Sequence, residues 1–334
     1  MIQYSKDKFG GHLAMLATAL IFGMNGPLSA VLVGPEGELT PGTHMFARFS
    51  VATVLFWCVS FFLPRTKVER KDFGRIFMAS VFGVLLNQSG FAIAMSLTTP
   101  IHQSLMASLG PVFTIVLAFF ILREPISLLK AGGVAFGALG VLTLLFVRTG
   151  GEGLGEGTLW GDLVALIATL SYCIYLTVYR DLIDKYEPWV LMRWMFLFTL
   201  ILVAPFTIGD VIRTPWSTLS EKTIGALSFV VFFATFVAYF LLPVGQKRLR
   251  PTVVSIYNYF NPVIATTLAL LWGLEEWTWA KGLAAALVVL GVYMVTKSKS
   301  RADQLRERGV QQPEHRDEIE TVCPSKTTTQ STNE

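Results

Sequence analysis

Inside its apolar stretches this chain keeps a small set of polar side chains, mostly amides and tyrosines. Asn25, Asn87, Gln88, Asn258 and Asn261 interrupt oily runs, as does Ser108. Facing hydrocarbon would cost such groups several kcal/mol each, so they must meet one another or a wet cavity. The chemistry they offer is neutral hydrogen bonding, since each amide presents two donors and an acceptor. Mutual bonding between helices is the competing reading. Asn87-Gln88-Ser89 also matches a glycosylation sequon, a chance match inside an apolar block.

Prolines stand beside these amides. Pro27, Pro111 and Pro262 would each remove one helical hydrogen bond and release the carbonyls of Gly23, Ala107 and Asn258. Tyr172, Tyr175 and Tyr179 are three and four apart, hence on one helical face. Tyr239 and Tyr257 can join the first two as apolar plates with polar tips, suited to a flat or partly aromatic solute. Tyr179 falls to the interfacial aromatic belt. His102 titrates near neutral pH and could couple a solute to protons, or simply be solvated at an interface. Arg48 and Arg193, about a turn inside their apolar runs, read as snorkelling to headgroups. No acidic residue sits at the centre of any run, so nothing compels a proton or sodium mechanism.

The elements that carry these residues are set by composition. Of 334 residues, 53% are hydrophobic and only 15% charged, where a soluble domain carries roughly 25% charged. The apolar residues gather in ten blocks, at 11–33, 43–63, 74–96, 101–122, 128–147, 159–179, 189–208, 222–242, 251–272 and 278–296. Each is near the ~20 residues that cross ~30 Å of hydrocarbon as a helix. Loops are short, which leaves no room for an extramembrane catalytic domain. Cys58, Cys173 and Cys323 are too scattered for a metal site, and no cofactor motif is present. The net charge of +4 needs no nucleic acid to explain it.

Lysine and arginine follow the membrane. With residues 1–10 inside, the loops on that side include Arg65, Lys67, Arg70, Lys71, Arg180, Lys185, Lys247 and Arg248, while the other side keeps only Arg148, Arg213, Lys222 and Lys281. Both termini are therefore expected in the cytoplasm. Residues 297–334 are polar and read as a disordered cytoplasmic tail.

A passage is also written twice. Residues 100–141 align with 251–292 without a gap, pairing Pro100 with Pro251, Pro111 with Pro262, Glu124 with Glu275, Lys130 with Lys281 and Gly140 with Gly291. The repeat divides the chain into two five-helix halves, 11–147 and 159–296, joined by an external linker at 148–158. Five is odd, so a second half that starts outside lies upside down relative to the first, the inverted-repeat plan of many secondary transporters. Glu124 and Glu275 read as helix-start carboxylates at a positive dipole end, with proton coupling as the alternative. Gly132, Gly133, Gly137 and Gly140 permit close helix approach, as packing within a half or as the face of a homodimer.

Ten helices, an internal repeat and the doubled Pro-Glu-Lys phrase resemble the drug/metabolite transporter superfamily, and within it the EamA-like permeases. The resemblance covers roughly 10–296. It implies a cavity lined by helices one, three and four with six, eight and nine, and export as the direction. The expectation is an all-α polytopic membrane protein of ten transmembrane helices in two inverted repeats, in a bacterial inner membrane. It would carry small polar or amphipathic metabolites, amino-acid-like ones included, by alternating access. Efflux of hydrophobic drug-like compounds is the alternative. A membrane receptor or enzyme is a third reading, without paired carboxylates, HExxH or a nucleophile motif to support it.

Overall fold

The computed structural model describes residues 2–33, 37–63, 66–98, 103, 106–148, 159–271 and 278–298. His102, Glu275 and the tail from 299 onward lie outside the described residues. Every described element is helical, and no strand occurs among the described residues. In chain order they are α1 (Ile2–Val33), α2 (Pro41–Phe62), α3 (Arg70–Leu97), α4 (Met106–Ile121), α5 (Leu128–Arg148), α6 (Leu159–Val178), α7 (Pro188–Arg213) and α8 (Glu221–Arg248). Then α9 runs through Pro251–Ile256, a 3-10 turn at Tyr257–Tyr259 and Phe260–Leu271, and α10 spans Trp279–Lys297. Among the described residues seven helices are long and apolar enough to cross a membrane: α1, α2, α3, α6, α7, α8 and α10. Large apolar side chains such as Phe62, Phe120, Phe206 and Ile212 stay exposed, as a surface bathed by lipid tails allows.

Local chemistry sets the helix starts. Thr40 caps α2 by accepting from the Thr43 N–H at 3.1 Å, with Pro41 in the first turn. Ser220 caps α8 in the same way at 3.2 Å. The start of α5 differs from the carboxylate-led one the sequence suggests. Glu124 and Pro125 precede the helix, and the Ser127 hydroxyl accepts from the Lys130 N–H at 3.2 Å. Glu124 is instead buried, paired with Lys130 Nζ at 2.8 Å and within 3.4 Å of the Thr252 hydroxyl. Arg123 takes φ 52°, which turns the chain so that the carboxylate folds back under α5.

Among the described residues two helices carry a π segment: Val81–Ser89 within α3 and Phe232–Val237 within α8. A π turn inserts a residue and rotates the next stretch of helix around its axis. The two segments begin 151 positions apart, and so do α3 and α8 themselves, each 28 residues long. Gly83, in the first segment, lets the Tyr175 ring lie so close that a Cβ there would sit 2.7 Å from it.

Packing is selective. α5 packs most extensively on α10 and α2 on α7; α1 packs on α8 and α9, and α6 on α3 and α4. Between α2 and α7, Phe56 stacks on Phe196 at 5.4 Å and meets Phe236 edge-on at 5.0 Å. The glycines of α5 are used against the other half of the chain, a pairing the sequence leaves undecided. A Cβ on Gly133 would lie 2.8 Å from the Gly291 carbonyl, and one on Gly140 2.7 Å from that of Ala284, both on α10. Backbones in contact replace the missing hydrophobic drive between helices in lipid.

Candidate functional site

Between these helices lies a cavity of about 310 Å³. Of the residues singled out from sequence, it is lined by Asn25, Asn87, Gln88, Ser108, Tyr172, Tyr239, Asn258 and Asn261, with Pro27 and Pro262. They arrive from α1, α3, α4, α6, α8 and α9. The amides are partly engaged with one another and with backbone. Asn87 Nδ2 donates to the Ala168 carbonyl at 2.9 Å, and Gln88 Nε2 reaches the Tyr239 hydroxyl. The Ser29 hydroxyl donates to Asn25 Oδ1 at 3.3 Å. The oxygen of Asn261 and the hydroxyl of Tyr259 are buried without a partner among the described residues.

The breaks near the prolines serve this geometry. In α9 the 3-10 turn at Tyr257–Tyr259 precedes Pro262, and Asn258, Tyr259, Asn261 and Pro262 all meet the cavity. In α4 the interruption falls at Leu109, just before the helical run Gly110–Ile121, so Pro111 sits in a first turn and not in mid-helix. Its neighbours Ala107, Ser108 and Gly110 line the cavity. At Gly23 α1 lies so close to α9 that a Cβ there would sit 2.6 Å from the Ile264 side chain.

Tyr175 and Tyr257 lie elsewhere. Tyr175 is buried on Gly83 and donates to Gln246 Oε1 at 3.4 Å, while Gln246 Nε2 donates to Tyr172 at 3.1 Å. The Tyr257 hydroxyl bonds His12 Nδ1 at 2.7 Å. Together with Arg180, whose guanidinium donates to the Leu249 carbonyl at 2.7 Å, they seal the end of the bundle near the α8–α9 turn. On α1 the lining runs only from Phe22 to Val33, so the cavity belongs to the opposite end.

Arg48 departs from the snorkelling position expected from sequence. The side chain is 5% exposed, lines the cavity, and donates from Nε to the Thr235 hydroxyl at 2.8 Å. His44, one turn earlier, lines the same wall. Sequence reasoning misses both as site residues, because it gives α2 no part in the cavity. The available signal was a cation in an apolar run with no acid three or four residues away. Arg193 stays near the bundle surface, stacked over Trp57 and Trp194 at 5.4 and 5.8 Å.

With this geometry in view, comparison with known proteins is specific. A model of the EamA-like transporter family matches twice, over residues 9–146 and again over 159–297. An uncharacterized transporter of Archaeoglobus fulgidus is 25% identical over 78% of this chain and 90% of its own length. YetK of Bacillus subtilis, also an uncharacterized transporter, is 22% identical over 89% of this chain and 90% of its own. A WAT1-related protein of Arabidopsis thaliana is 21% identical over 90% of this chain and 94% of its own. A crystal structure of another protein superposes with a TM-score of 0.70 at 18% identity, covering 87% of this chain and 96% of that one, and so shares the fold. The doubled match over both halves makes this chain a multi-pass membrane protein of the EamA-like transporter family.

Proposed function

We propose that the protein is a secondary carrier that moves a small polar or amphipathic solute outward by alternating access, with the cavity as its solute site. The observation that carries this reading is a cavity into which amides and tyrosines from helices along the whole chain converge, with a sealed end and the lining displaced toward the other. A carrier caught open on one side has this form. Efflux of purely hydrophobic compounds would leave the buried Asn261 oxygen of the lining without a partner among the described residues.

Ten spans in two inverted halves, 11–147 and 159–296, supply the mechanism. Several observations support that arrangement. The π segments of α3 and α8 recur at the offset of the sequence repeat. Exchanging each helix for its counterpart also maps the packing onto itself: α2–α7 and α5–α10 are their own images, while α1 with α8 and α9 becomes α6 with α3 and α4. If the halves swapped their slightly different conformations, the sealed end would open and the open end would seal. With basic loops inside, the sealed end is cytoplasmic, both termini are cytoplasmic, and the protein resides in a bacterial inner membrane.

Reconstituted Asn87→Ala and Asn261→Ala proteins, inserted at wild-type levels, are expected to lose most solute flux. Wild-type kinetics in both would place the solute site elsewhere.

A further inference from the structure

We propose that Arg48 makes this cavity selective for solutes carrying a carboxylate. The proposal rests on the cavity being the solute site and names the class of solute that fits it. Arg48 is a membrane-buried cation, and a charge there without a counter-ion costs several kcal/mol. Among the described residues no aspartate or glutamate lines the cavity, and none pairs with Arg48.

Its anchor among the described residues leaves the guanidinium incomplete. The Thr235 hydroxyl gives its own proton to the Val230 carbonyl at 2.9 Å and so can only accept from Arg48 Nε. That fixes the side chain while Nη2, buried, has no hydrogen-bond partner among the described residues. His44 Nδ1, one turn away on α2, is buried and unpartnered as well. A planar guanidinium can meet a carboxylate in two parallel bonds, and with no acid beside Nη2 among the described residues, an anion entering the cavity supplies the missing partner. The unpartnered Asn261 oxygen, on α9, would accept from an N–H of the same solute. A solute cation is disfavoured by the fixed positive charge.

The test uses the full chain in proteoliposomes, given an equimolar mixture of acids and their neutral amides: phenylacetate with phenylacetamide, N-acetylleucine with N-acetylleucinamide. Flux is corrected against protein-free vesicles. Wild type is expected to favour acids over amides by about tenfold or more, the factor one charge-assisted pair supplies. Arg48→Gln should bring that ratio to about one, and Arg48→Lys, which keeps the charge without the fork, should lower it. Asn87→Ala should reduce flux of both members of a pair and leave the ratio alone. Excess chloride that abolishes acid flux as effectively as excess unlabelled acid would assign Arg48 to inorganic anions and overturn the proposal. So would a wild-type ratio of one, or an unchanged ratio in the Lys and Gln variants. Amide flux without acid preference would spare the carrier reading and remove only this one; no flux above protein-free vesicles would remove both.

Discussion

Arg48 Nε donates to Thr235 Oγ1 at 2.8 Å across 187 positions of chain, joining α2 to the π segment of α8. The bond is local to neither helix. Thr235 lies within that π segment and is fully buried, while Arg48 is 5% exposed at the cavity wall, so the bond is made in a largely water-free setting.

Removing the acceptor should therefore be felt in both stability and flux. Thr235→Val leaves a buried N–H unpaired, at about 1–3 kcal/mol. We expect a lowered unfolding midpoint in detergent and a reduced acid-to-amide flux ratio, with Thr235→Ser close to wild type. A Val variant with wild-type midpoint and flux ratio would show that Arg48 needs no anchor.

The Glu124–Lys130 pair predicts a non-additive cycle. Lys130 is 1% exposed and Glu124 9%, so either single replacement strands a buried group. Glu124→Gln should cost about 3–5 kcal/mol, and the double variant Glu124→Gln with Lys130→Met less than that single one. Denaturant or thermal unfolding of the three variants checks it. Additive losses would argue against an energetically coupled pair.

The glycines separate by position. Gly133→Ala and Gly140→Ala place a methyl against the α10 backbone and should lower the thermal midpoint, whereas Gly225→Ala, with nothing within 4 Å, should be neutral or stabilising by about 0.5–1 kcal/mol. Equal effects at all three would mean that α5 and α10 can separate freely.

Labelling tests the orientation of the halves. In a background with Cys58, Cys173 and Cys323 all replaced, single cysteines at 36 and 218 should react with an impermeant maleimide from outside, and one at 68 only from the cytoplasm. The reverse pattern would invert the topology.

Glu38 gives a pH prediction. The Ser220 N–H, donating at 2.9 Å, and the Ser220 and Thr223 hydroxyls hold its carboxyl below the ordinary value of 4.5. A carboxylate with a depressed folded pKa stabilises the fold above its unfolded pKa and loses that contribution as pH falls through the folded one. The wild-type midpoint should thus fall below pH 4.5 more steeply than that of Glu38→Gln. Parallel curves would show that the loop bond is too solvated to matter.

Apolar length and polar interruption are properties of a segment taken alone, because the lipid judges every residue of a span separately. Membrane-length helices and the amides that line the cavity were legible from sequence for that reason, as was the doubled phrase that also matches the family twice. Which face each helix turns inward is a different matter, since it depends on rotation about the helix axis and on what packs opposite. That is why Tyr172 meets the cavity while Tyr175, one turn on, is taken by Gly83 and Gln246. It is also why Glu124 finds Lys130 in place of a helix end, why Gly133 and Gly140 of α5 are consumed by α10, and why Arg48 points inward. Each of these outcomes needed a partner contributed by another turn or another helix, and only the assembled bundle could supply it.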